Sequence, residues 1–309
     1  MNHSIVVKNL FKQYGDLVAV KDVSFEVNKG EVFGLLGENG AGKTTTLEIV
    51  EGLRTATSGS VEVLGHDIAT DQAAIKEKIG VQLQSSAYYA FLTLREILNL
   101  FATFYGRAIN ADELLESVAL SEKANSYVTQ LSGGQKQRFS IVASLVNDPE
   151  VVFLDEPTTG LDPFARRNLW ELIVDIKKRG KTVILTTHYL EEAEILCDRV
   201  AIMNRGEIIA MDKTNQLVER AKYPYRLIFE PTKNAREAQA KLEKIGTVQE
   251  DPQKQTNVEV LLSSQSHLND ALDIVRTTAP IGLVVRPASL EDVFIELTGK
   301  RLHIEEEHA

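Results

Sequence analysis

A single cysteine, Cys197, stands in 309 residues, so neither an intrachain disulfide nor a cysteine-rich metal site can form, and a reducing compartment is the expected setting. Cys197 itself reads as a small core residue. Long apolar runs are also missing: nothing approaches the roughly 18 to 20 apolar residues that a bilayer-spanning helix needs. The opening MNHSIVVKNL puts no basic segment ahead of an apolar core, so no secretory signal is expected. Basic excess is absent too. With 34 Lys and Arg against 44 Asp and Glu, the formal net charge is -10, which argues against a nucleic-acid binder that must neutralise phosphates. No internal repeat or low-complexity segment stands out.

What remains is the make-up of a soluble globular protein, with 43% hydrophobic and 25% charged residues. The length suits about two domains. From Ser4 to Val27 apolar residues alternate, as in Val23, Phe25 and Val27, predicting half-buried antiparallel strands. Glu31 to Leu36 is a short apolar run like a central parallel strand, followed by a glycine loop and a helical segment from Lys43 to Glu51. Thr93 and Glu96 form a capping-box pattern, and Leu94, Ile97, Leu98, Phe101 and Tyr105 recur on one helical face, read as bundle core. After residue 150, the strand Val151 to Leu154, a helix opened by Asp162 and Pro163, and the strand Thr182 to Thr186 alternate as in a parallel sheet covered on both faces. A boundary is placed at residues 221–224. Beyond it the order strand, helix, strand, strand, helix, strand predicts a ferredoxin-like α+β domain.

Three motifs carry chemistry. GENGAGKT, from Gly37 through Glu38, Asn39, Gly40, Ala41, Gly42 and Lys43 to Thr44, lies between an apolar strand and a helix, as a phosphate-binding loop must. Its backbone N–H groups and the helix dipole would hold phosphates, Lys43 would neutralise the β and γ groups, Thr44 would hold Mg²⁺, and Thr45 joins the nucleotide-binding set. VVFLDE places Asp155 and Glu156 at the end of a buried strand. Alone such a pair reads as a solvated strand end or a helix cap; behind a phosphate loop Asp155 suits the Mg²⁺ shell and Glu156 the general base. LSGGQ offers Ser132 as N-cap and Gly133 and Gly134 as exposed N–H donors, a second anion-binding helix start. A simple capped helix accounts for Ser132 but not for the glycine pair or Gln135. His188, Gln84 and Tyr14 are weak singly: a packing histidine, a loop glutamine and a surface aromatic are the plain alternatives.

Together these motifs resemble the ATP-binding subunits of ABC transporters, over residues 5–212 and in that family's order: Tyr14, GENGAGKT, the Gln84 loop, LSGGQ, VVFLDE, TTGLD ending at Asp162, and His188. The resemblance implies a P-loop fold of RecA-like parallel-sheet core, antiparallel β subdomain and helical subdomain (about 86–145), filling 1–220, with 221–309 as the accessory α+β domain. It implies ATP and Mg²⁺ as cofactors, Tyr14 stacked on the base, Gln84 sensing Mg²⁺, and Glu156 and His188 at the hydrolysed bond. It also implies that Ser132 to Gln135 face ATP held by a second ATPase protomer, and that an integral membrane permease is the partner, keeping the chain at the cytoplasmic face of the membrane. PASLEDVFIELTGK, residues 287–300, resembles the ending of ATPases that serve ABC-2 type exporters. A soluble ABC ATPase without a transporter is the rival, as is a nucleotide-binding module that does not turn over. The absence of a second cassette or a coiled-coil insertion disfavours the first, and Glu156 with His188 disfavours the second.

Overall fold

The computed structural model describes residues 3–82, 88–250 and 257–299, which divide into two compact units, the first through Lys213 and the second from Thr214. The first begins with two long strands, β1 (His3–Tyr14) and β2 (Leu17–Asn28), then β3 (Val32–Leu36), helix α1 (Lys43–Val50), β4 (Ser58–Val63) and β5 (His66–Asp67). Next come α2 (Gln72–Lys76), β6 (Ile79–Gln82), and three helices, α3 (Leu94–Phe104), α4 (Ala111–Glu116) and α5 (Gly133–Ser144). The chain returns through β7 (Val151–Asp155), α6 (Pro163–Lys178), β8 (Thr182–Thr187), α7 (Leu190–Leu196), β9 (Arg199–Asn204) and β10 (Glu207–Lys213).

These strands make two sheets. One is antiparallel, in the order β2-β1-β4-β5. The other runs β10-β9-β3-β8-β7-β6 and is parallel except for β10. Strands β3 and β7 are buried along their whole length, as parallel strands covered on both faces must be, which is why they read as unbroken apolar runs. The alternating apolar residues of β1 and β2, among them Ile5, Val7, Val23 and Phe25, pack onto Phe33, Leu35 and Phe153 of the parallel sheet. Phe25 stacks on Phe33 with ring centroids 5.3 Å apart. The capping box at α3 forms as the sequence predicts, Thr93 and Glu96 each accepting the other's backbone N–H. Its apolar stripe buries Leu94, Ile97 and Leu98, but Tyr105 ends the stripe exposed, because α3 stops at Phe104 and leaves it outside the packed turns.

The second unit opens with α8 (Thr214–Glu219), followed by β11 (Tyr225–Glu230), α9 (Ala235–Leu242), β12 (Thr247–Glu250), β13 (Val258–Leu262), α10 (Gln265–Arg276), β14 (Ile281–Pro287) and α11 (Leu290–Thr298). Its sheet is antiparallel in the order β12-β13-β11-β14, the ferredoxin-like arrangement. Leu227, Phe229, Val260 and Leu262 pack under Leu242, Leu268 and Val275 of α9 and α10. Across the sheet, Arg226 is buried between Glu259 (3.1 Å) and Asp292 (2.9 Å), and Asp292 also caps α11 by accepting the Ser289 backbone N–H.

Candidate active site

Register across the parallel sheet brings the motifs together. Leu35 lies opposite Thr186, and Thr186 opposite Asp155, so the residues that follow β3, β7 and β8 emerge side by side at the carboxyl edge of the sheet. There the phosphate loop turns into α1. Gly42 caps that helix with a left-handed φ of 100°, and a Cβ on it would meet the Ala19 carbonyl oxygen at 2.5 Å. Gly37 is forced by contact instead: its Cβ would lie 2.5 Å from the Met203 carbonyl oxygen. Glycine is therefore required at both places before any ligand is considered.

Lys43 is buried, and its ammonium donates to the carbonyl oxygens of Gly37 (2.8 Å) and Glu38 (3.1 Å). It also stands 3.7 Å from Glu156 Oε1. Burial pulls the Lys43 pKa down, and the charges of Glu156 and Asp155 work against that fall. Thr44 directs its hydroxyl at Asp155 Oδ1, 3.4 Å away. Burial pushes the Asp155 carboxyl above the usual range, while Thr186 and Thr44 hold it back.

Glu156 sits at the turn after β7 with φ 45°, a left-handed conformation that a non-glycine residue adopts at a cost of about 1 kcal/mol. Two contacts hold it there. Its backbone N–H donates to Thr186 Oγ1 at 3.0 Å, and its Oε2 accepts from the Thr159 hydroxyl at 3.2 Å. His188 Nδ1 lies 3.3 Å from Oε2, within ion-pair range though oblique to the line of a hydrogen bond. His188, above all, draws the Glu156 carboxylate below the usual range against its burial, with Lys43 and Thr159 adding to the effect.

A hydroxyl and a carboxylate, Thr44 and Asp155, thus meet at the mouth of the loop, an all-oxygen donor pair of the kind Mg²⁺ takes together with substrate phosphates. Among the described residues no group of three or more His, Cys, Asp or Glu side chains forms a metal cage.

The LSGGQ segment starts α5, with Ser132 and Gly133 exposed. Here the capped-helix alternative accounts for more than the sequence reading allowed it, covering Gln135 as well as Ser132. Gln135 completes a capping box: Ser132 Oγ accepts the Gln135 backbone N–H, and Gln135 Oε1 accepts the Ser132 backbone N–H. Gly134 is explained by packing, since a Cβ there would press to 3.1 Å on Ala165 Cβ of α6. Gly133 has open space around it and no such reason. Asp162 caps α6, accepting from the N–H groups of Phe164 and Ala165 at 2.9 Å each, so the LSGGQ and TTGLD segments adjoin through Gly134 and Ala165.

Tyr14 is on the other sheet, at the end of β1, with the Lys12 ammonium 4.7 Å from its ring centre. Gln84 lies outside the described residues. Sequence reasoning missed Thr186, which both bonds Asp155 and receives the Glu156 N–H. Its only local trace is the threonine pair that closes the buried strand TVILTT. It also missed Glu192 on α7, fully buried and accepting from Trp170 Nε1 at 3.2 Å, and Glu51, a buried carboxyl pushed up to about 8 by burial first, with Asp155 and Glu48 adding to it.

Comparison with known proteins agrees with this geometry. The model of the ABC transporter family matches residues 20–159. The Nod factor export ATP-binding protein I of Burkholderia orbicola is 36% identical, over 96% of this chain and 97% of its own length, so the likeness runs through the second unit. The linearmycin resistance ATP-binding protein LnrL of Bacillus subtilis is 42% identical over 69% of this chain and 70% of its own. Among solved structures, an ATP-binding subunit of an ABC transporter superposes with a TM-score of 0.64 at 31% identity, covering 70% of this chain and 92% of that one. A dimeric ATP-binding cassette in a post-hydrolysis state, bound to ADP and Pi, superposes with a TM-score of 0.62 at 29% identity, covering 68% and 98%. With relatives matched along nearly their whole length on one side and the phosphate loop meeting the carboxylates on the other, this chain belongs to the ABC transporter family, as one of its ATP-binding and ATP-hydrolysing subunits.

Proposed function

We propose that two copies of the chain hydrolyse Mg²⁺-ATP at shared sites and so drive export through a separate membrane permease, at the cytoplasmic face of the membrane. The observation that carries this reading is the convergence of Lys43, Thr44, Asp155, Glu156 and His188 at one edge of the parallel sheet. Lys43 neutralises the transferred phosphate, its ammonium already aimed by two loop carbonyls. Thr44 and Asp155 would hold Mg²⁺, with Gln84 as the third protein ligand. When bound, the ion draws charge from the β and γ phosphates. Glu156 accepts a proton from the water that attacks the γ phosphorus as the bond to the β-phosphate oxygen breaks. His188 keeps that carboxylate ionised and ready.

Ser132 to Gln135 act on the ATP of the other protomer. Because Ser132 Oγ spends a lone pair on its own helix cap, its hydroxyl proton is left to donate outward to phosphate, beside the free N–H of Gly133. Tyr14 stacks on the base. Relatives named for Nod factor export and for linearmycin resistance support the outward direction of transport.

The test mixes Lys43→Ala chains with Gly133→Ala chains, each inactive alone. Random pairing restores one site in half the pairs, about a quarter of wild-type turnover. No gain over either parent, in chains shown by light scattering to pair, would remove the shared site. Detergent extraction with the chain as bait should bring down one integral membrane protein.

A further inference from the structure

The aim of the His188 ring is not set by a hydrogen bond to its Nδ1. That atom is buried and stands 3.3 Å from Glu156 Oε2, oblique to the line of a hydrogen bond, with no other partner among the described residues. A histidine turns easily about its second side-chain torsion, so something else must hold the imidazole. A ring contact is present. The Tyr189 ring lies 4.2 Å from the His188 ring, centre to centre and tilted by 40°. Over the Tyr189 ring stands the Arg166 guanidinium, 4.3 Å from its centre and within cation–π range.

Both ends of this stack are anchored. Thr187 Oγ1 accepts the Tyr189 backbone N–H at 2.9 Å, fixing the short turn between β8 and α7 that carries His188. Arg166 Nη2 donates to the Leu161 carbonyl oxygen at 3.4 Å, reaching back into the TTGLD segment, and Arg166 follows Ala165, the residue on which Gly134 packs. One turn further along each helix, Trp170 of α6 donates to the buried Glu192 carboxyl of α7 at 3.2 Å. Residues 166 and 170 share one face of α6, and 189 and 192 one face of the start of α7, so two successive contacts fasten the helices together beside His188.

We propose that Tyr189, backed by Arg166, positions the His188 ring against Glu156 and so ties its aim to the TTGLD segment. This rests on the role given to His188 above and adds two residues that act through it. A misplacement of about 1 Å at a reacting group can cost about 10²-fold in rate, so the stack has catalytic weight without touching substrate. The contact is made by the tyrosine ring, which phenylalanine also supplies.

The experiment measures steady-state Mg²⁺-ATP turnover of the full-length chain, with thermal melts confirming that each variant is folded. Tyr189→Leu should lower kcat about ten-fold and Arg166→Met about three-fold, with KM for ATP within about two-fold, whereas Tyr189→Phe keeps wild-type turnover. In a His188→Ala background neither change should lower kcat by more than about two-fold, while damage to the fold would act in both backgrounds. A second measurement needs no nucleotide. Of the six histidines, His188 is the one whose ring signal disappears from the NMR spectrum in His188→Ala, and the nearby tyrosine displaces that signal by its ring current. Arg166→Met keeps the tyrosine, so a return of the signal toward the position of an exposed histidine reports a changed arrangement of the rings. Wild-type kcat in Tyr189→Leu and Arg166→Met, equal losses with and without His188, a Tyr189→Phe as poor as Tyr189→Leu, or an unmoved signal in Arg166→Met would each overturn the positioning role and leave that of His188 standing. If His188→Ala itself keeps full turnover, the reading of His188 falls and this inference falls with it.

Discussion

Glu156 and His188 face each other across the ends of two neighbouring strands, with His188 Nδ1 3.3 Å from Glu156 Oε2. The imidazole holds the carboxylate below its ordinary range although burial works the other way. Glu156→Gln should therefore lower turnover by about 10²–10⁴-fold with ATP affinity retained, and ATP-bound pairs should accumulate. His188→Ala should move the acid limb of the pH–rate profile to higher pH, because the carboxylate then loses its depressing neighbour. A steady-state ATPase profile from pH 5 to 9 checks both.

The two signature glycines should separate in experiment. A methyl on Gly133 meets nothing within 4 Å, so Gly133→Ala should leave nucleotide-free stability within about 0.5 kcal/mol. It should still abolish ATP-dependent pairing. Gly134→Ala pushes on Ala165 and should lower stability by about 1 kcal/mol. Thermal melts without nucleotide, set beside light scattering with ATP, distinguish the two effects.

Glu51 gives a pH dependence with a definite sign. Its folded pKa, pushed up to about 8, lies above the unfolded value of about 4.3, so the folded chain holds a proton that the unfolded chain has released. Its contribution to stability falls as pH rises from about 4.3 to about 8 and is flat beyond. Glu51→Gln removes that loss. Relative to wild type, the variant should gain with pH and reach about 5 kcal/mol at pH 8. Urea midpoints at pH 5, 6.5 and 8 test the trend.

In the second unit, Asp292 serves two buried partners at once, Arg226 and the N-cap of α11. Asp292→Ala leaves Arg226 with less than its counter-charge and should destabilise the unit by about 3–5 kcal/mol. Asp292→Asn, which keeps the cap, should cost less. Amide exchange in β11 and β14 is the measurement.

Much of this architecture was legible because hydrophobic period and turn chemistry agree locally. Val23, Phe25 and Val27 announced β2 by alternation, and the box at Thr93 and Glu96 announced α3. The phosphate loop was legible for the same reason, its glycines being fixed by the chain's own carbonyls at Met203 and Ala19. What escaped depends on lateral register. Nothing local says that Thr186 will lie beside Asp155, or that Glu192 will meet Trp170. The role of Gln135 was hidden differently: its spacing from Ser132 suits a capping box, but a glycine pair in between drew attention to anion binding. The exposure of β14 was also invisible, because an apolar strand reads the same whether or not helices reach over it.

The left-handed backbone at Glu156 has a consequence for anyone hardening this protein against heat. Glycine would relax that turn, and a screen for thermostability alone should select it there, trading the proposed proton acceptor for comfort of the main chain. Survivors of such a screen would be robust and idle, so selection has to be run with catalysis in view.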